Sequence, residues 1–171
     1  MKRSHIFHLP ALGCRAGTAL LAWAFLSGLL AGALLSAQPH EFFAGTRKAL
    51  SCSAGISALI PPVLPLLVSG FAVYAGRPIL LIPTAFWKAL SFSYVATGVA
   101  GAWGNAGWLV SSLALFGSFC SLSVLWWYWL RHVGGEAFSA RTFFPALGVT
   151  LAIGWVDLLV ISPFLSNILI Y

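Results

Sequence analysis

The sequence predicts an all-α membrane protein, a polytopic bundle of about five transmembrane helices with its N-terminus inside and its C-terminus outside. Three observations carry that prediction: an extreme apolar composition, five long apolar runs, and basic residues concentrated in alternate gaps between them. Hydrophobic residues make up 60% of the 171 positions and charged residues only 7%, and the mean hydropathy is +0.96. A soluble domain carries about 25% charged residues, so a conventional solvated surface is excluded and the chain reads as one integral membrane domain over 1–171. The net charge of +6 does not point to nucleic acid. Its basic residues stand singly or in pairs between apolar runs, where they set topology.

The first span is expected at about 16–37, following Lys2, Arg3 and Arg15. Its apolar core of about 20 residues is long for a signal-peptide core, so it reads as a retained signal anchor. Ala11-Leu12-Gly13-Cys14 resembles a lipoprotein cleavage box, but no apolar stretch precedes it. Gly28 and Gly32 form a GxxxG pair on one helix face, which permits close helix–helix approach. Pro39 breaks the chain into a short loop, Gln38–Ala49, in which Phe42 and Phe43 are expected at the interface.

Span two is expected at about 50–75, bent by Pro61, Pro62 and Pro65. Each proline removes a backbone donor, and the freed carbonyls need partners. Gly76-Arg77-Pro78 then makes a tight turn into span three, at about 79–100. A glycine-rich interfacial loop with Trp103 and Trp108 leads to span four, at about 108–130. It ends in Trp126-Trp127-Tyr128-Trp129 beside Arg131, an expected interfacial anchor. A polar loop containing Gly134 and Gly135 precedes span five, at about 143–162, which Pro163 stops.

Five spans place the termini on opposite sides. Lys2, Arg3, Arg15, Arg77, Arg131 and Arg141 then share one side, against Arg47 and Lys48 on the other. The positive-inside rule makes the first side cytoplasmic. Two charges remain inside apolar runs, Lys88 in span three and Asp157 in span five. A charge at the bilayer centre costs about 2.5–3.5 kcal/mol on insertion-derived scales, so the two are expected to meet as an ion pair that fixes helix register.

No catalytic constellation is visible. His5, His8, His40 and His132 are expected in termini or loops, and no metal-ligand spacing links them. Glu41 and Glu136 are expected on opposite sides of the membrane, which leaves no acid pair. Gly55-Ile56-Ser57 has the form of a nucleophile turn, but no histidine is expected in any span to activate Ser57. Cys14, Cys52 and Cys120 follow neither a zinc nor a redox pattern. The expectation is a non-enzyme with no cofactor and no metal.

Two stretches resemble a known family. Phe86-Trp87-Lys88-Ala89-Leu90-Ser91-Phe92, followed by Gly98 and Gly107-Trp108-Leu109, is similar to the third span of the stage II sporulation protein M family. Asp157-Leu158-Leu159-Val160-Ile161-Ser162-Pro163-Phe164-Leu165 resembles its C-terminal span, where an acidic residue shortly precedes Ser-Pro. The segment after span one is shorter than that family's. The resemblance implies a non-enzymatic membrane scaffold that recruits peptidoglycan-remodelling proteins during forespore engulfment, its contacts being lipid and other membrane or cell-wall proteins. The residues alone also leave open a small secondary transporter, or a membrane subunit of a transport system, with a site near Lys88 and the Pro61–Pro65 bend.

Overall fold

The computed structural model describes residues 14–36, 60–102, 112–113 and 115–161, and among them every regular element is helical. The helices are α1 (Cys14–Ser36), α2 (Ile60–Tyr74), α3 (Leu81–Ala102), α4 (Phe116–His132) and α5 (Ala140–Val156). A 3-10 turn, Pro78–Leu80, leads into α3, and a π turn, Asp157–Ile161, continues α5. Among the described residues, three stretches are long and apolar enough to cross a membrane: Arg15–Ser36, Pro78–Gly98 and Ala140–Ile161. Pro62–Tyr74 is a shorter apolar helix.

The first and third predicted spans coincide with α1 and α3 to within two residues. Predicted span five starts late, because its helix begins at Ala140: Ser139 is extended, and its carbonyl accepts the first turn's bonds from the N–H groups of Thr142 and Phe143. α4 begins at Phe116, within predicted span four, whose first residues, 108–111, lie outside the described residues. The loop 38–49 and the first part of predicted span two lie outside the described residues.

The prolines of α2 need a correction. Pro61 and Pro62 occupy its first turn, and only Pro65 lies in the interior of a helix that runs continuously to Tyr74. First-turn N–H groups have no intrahelical partner in any helix, so proline there sacrifices nothing. These two prolines mark a start rather than a bend. The far end of α2 closes as expected. The Gly76 N–H donates to the Val73 carbonyl at 3.0 Å and the Arg77 N–H to the Ala72 carbonyl at 2.8 Å, with Gly76 at φ 68°. That paired closure requires a left-handed residue, which glycine supplies without strain.

Neighbouring helices reveal the directions of the chain. Gly28 of α1 lies on Phe86 and Ala89 of α3, and Gly32 lies on Leu90, Ser93 and Tyr94. Both numbers rise together, so α1 and α3 run parallel, and theirs is the most extensive helix–helix contact in the molecule. Against α4 the order inverts: Gly17 meets Val133 and Phe25 meets Trp126. The α4–α5 pair is also antiparallel, with Tyr128 near Phe143 at one end and Gly117 on Asp157 at the other. Tyr74 at the end of α2 packs edge-on against Phe138, just before α5.

Side-chain size, rather than polarity, separates the faces of α1. Leu21, Gly28, Gly32 and Ser36 are buried, whereas Trp23, Leu26, Leu30 and Leu34 project outward. Lipid is as apolar as leucine, so helices in a bilayer associate where small residues let backbones approach. The core collects toward the end that holds the α2–α3 turn. There Leu21, Leu66, Leu81, Ala85, Leu125, Tyr128, Trp129 and Ala146 pack together.

Candidate functional site

Lys88 and Asp157 do not meet. Among the described residues neither has an ionic partner. The expected ion pair is corrected on two grounds. Lys88 lies in the stretch of α3 on which Gly28 of α1 is seated, whereas Asp157 lies on Gly117 of α4. Their helices also pack on different neighbours, α3 principally on α1 and α5 principally on α4.

Each charge instead occupies its own glycine-based contact. Lys88 is half-buried and lies between Phe86 and Ala89, the residues on which Gly28 is seated. A Cβ on Gly28 would overlap the Phe86 carbonyl oxygen, and one on Gly32 would overlap the Leu90 carbonyl oxygen. The GxxxG pair is therefore used within the chain, to seal α1 against the lysine-bearing stretch of α3. At the other end of the bundle, the Asp157 carboxylate lies flat over Gly117 of α4. A Cβ at Gly117 would come within 2.6 Å of Asp157 Cγ and 2.7 and 2.8 Å of its Oδ2 and Oδ1. Asp157 also opens the π turn, a helix form often found at functional sites.

A second polar group, at the inner end of the core, was hidden from sequence reasoning. Trp129 is fully buried and its indole Nε1–H donates to Ser69 Oγ of α2 at 2.7 Å. Tyr128 is equally buried and stacks on His132, with ring centroids 4.4 Å apart. His132, expected in a loop, is 1% exposed because α4 extends through it. Its Nδ1 lies 3.3 Å from the Glu136 carbonyl oxygen, while His132 Nε2, the Tyr128 hydroxyl and the Ser121 hydroxyl are buried without partners among the described residues.

The aromatic cluster thus divides. Only Trp127 has the expected anchor geometry, half-exposed with the Arg131 guanidinium 5.3 Å over its ring. Trp126 packs on Phe25 and Trp129, while Tyr128 and Trp129 belong to the core. The one sequence cue was periodicity: Leu125, Tyr128, Trp129 and His132 fall on one face at helical spacing.

No group of three or more His, Cys, Asp or Glu side chains capable of holding a metal occurs among the described residues. His5, His8, His40 and Ser57 lie outside them. Cys120 is a free thiol, half-exposed on α4. Compared with known protein families, curated proteins and solved structures, the chain matches none.

Proposed function

We propose that this chain is a non-enzymatic membrane scaffold, and that its partners are membrane or envelope proteins with extracytoplasmic domains that remodel peptidoglycan. The observation that carries this reading is the seam between α1 and α3. Gly28 rests on the very stretch that bears Lys88, so the helices close over the position where a carrier would open a path. The resemblance of 86–92 and 157–165 to stage II sporulation protein M supplies the class of partner and a role at forespore engulfment. Purifying the tagged chain in mild detergent tests it: one envelope protein with an extracytoplasmic domain should accompany it in comparable amount. A chain recovered alone, with solute flux in proteoliposomes, would replace this reading.

A second reading, a small secondary transporter, draws on Lys88, a half-buried cation with no carboxylate beside it among the described residues. It predicts flux that Lys88→Met abolishes.

The proposal includes five crossings with the N-terminus in the cytoplasm. It is supported by the alternating directions of α1 to α5 and by the position of Arg15, Arg77, Arg131 and Arg141 near one end of the bundle. A reporter active only outside the cytoplasm should work when fused after Tyr171 and stay silent after Arg77 or Glu136. The reverse pattern would sink the arrangement.

A further inference from the structure

We infer that Asp157, seated on Gly117, is a docking point for a basic side chain, lysine or arginine, carried by a transmembrane helix of a partner protein. The inference rests on the scaffold reading and names the contact through which the scaffold would hold its partner.

The carboxylate is half-exposed and accepts no hydrogen bond. Gly117 closes its underside, so a ligand approaches from the side turned away from α4. The surface beside it is apolar: Val156 and Val160, of the segment around Asp157, are each more than half exposed. Ser121, one helical turn from Gly117 on the same face, adds a buried hydroxyl with no partner. An acid set in an apolar, membrane-length helix costs free energy until a cation joins it. The apolar surroundings call for that cation to arrive on another helix, whose side chains pack against the exposed valines.

Other occupants fit less well. A hard metal ion takes about six to eight oxygen ligands, and one carboxylate with one hydroxyl falls far short. Lys88 of a second copy fits poorly, since it lies on the stretch of α3 that Gly28 of its own α1 closes. A partner's cation at Asp157's own depth meets neither obstacle.

The test uses the full chain in its native membrane, with a photoreactive residue introduced at Val156 or Val160. Illumination should give one discrete adduct with a second membrane protein that has a lysine or arginine within an apolar helix. Normalised to inserted chain, the adduct should fall at least tenfold in Asp157→Asn and persist in Asp157→Glu. Replacing the partner's cation with leucine should remove it while leaving this chain unaltered, so the result does not depend on how well Asp157→Asn folds. Exchanging the charges, Asp157→Lys against aspartate in the partner, should restore it. An adduct unchanged in Asp157→Asn would overturn the docking point and leave the scaffold reading standing. Adducts to lipid alone or to a second copy would also overturn it, and a chain that yields no protein adduct from any outward position would overturn both.

Discussion

Gly28→Leu with Gly32→Leu should separate α1 from α3 and abolish the native bundle. The expectation follows from what a side chain would meet. At Gly28 a Cβ would collide with the Phe86 carbonyl oxygen and come within 3.0 Å of Ala89 Cβ. At Gly32 it would collide with the Leu90 carbonyl oxygen and come within 2.9 Å of the Tyr94 nitrogen. These obstacles are mostly backbone, and a backbone cannot turn aside as a long side chain can. Relief requires moving a whole helix, which loses the close approach that holds helices together in lipid. Even alanine at either position should cost about 1–3 kcal/mol, the usual range for overpacking. Gly148→Ala supplies the control, since nothing lies within 4 Å of a Cβ there. Reversible unfolding in mixed micelles measures all three. If Gly28→Ala and Gly32→Ala unfold like Gly148→Ala, the seam is not where the bundle is held.

How much of this was legible in the sequence depends on which physical signal each feature leaves. Apolar run length is written directly in the chain, and it located α1 and α3 closely. The turn at Gly76 was legible because a left-handed closure before Pro78 needs glycine there. Facing is harder to read. In a helix that is apolar all round, hydropathy does not distinguish the side packed on protein from the side packed on lipid. Gly28 and Gly32 gave the inward face of α1, but nothing in them named α3 as the partner. The Lys88–Asp157 pairing failed for the same reason: opposite charge in two apolar runs says that each needs company, not that their helices touch. His132 was misplaced because charge and glycine after Leu130 suggested a loop, whereas α4 holds its last turn through Arg131 and His132. Gly117 left no recognisable signal, since its meaning lies in the aspartate that covers it.

The hydrogen bond between Trp129 and Ser69 yields the other large expected effect. Trp129→Ala should destabilise the bundle by about 3–5 kcal/mol, because it empties the largest fully buried side chain from the core. Much of that loss is packing, so the hydrogen bond itself is isolated by Ser69→Ala and Trp129→Phe, singly and together. Ser69→Ala leaves an indole N–H buried without an acceptor, a cost of about 1–3 kcal/mol. Trp129→Phe removes the donor along with part of the ring system, and the Ser69 hydroxyl loses its donor in turn. In the double variant both polar groups are gone together, so its cost should be less than the sum of the singles. Hydrogen bonds between membrane helices couple by about 0.6 kcal/mol on average and up to about 1.7. The short 2.7 Å distance and full burial of both residues place this pair toward the upper figure. Unfolding free energies of the four proteins in one detergent mixture measure the coupling. Strict additivity would mean that α2 and α4 are held by ring packing alone, with the serine a bystander.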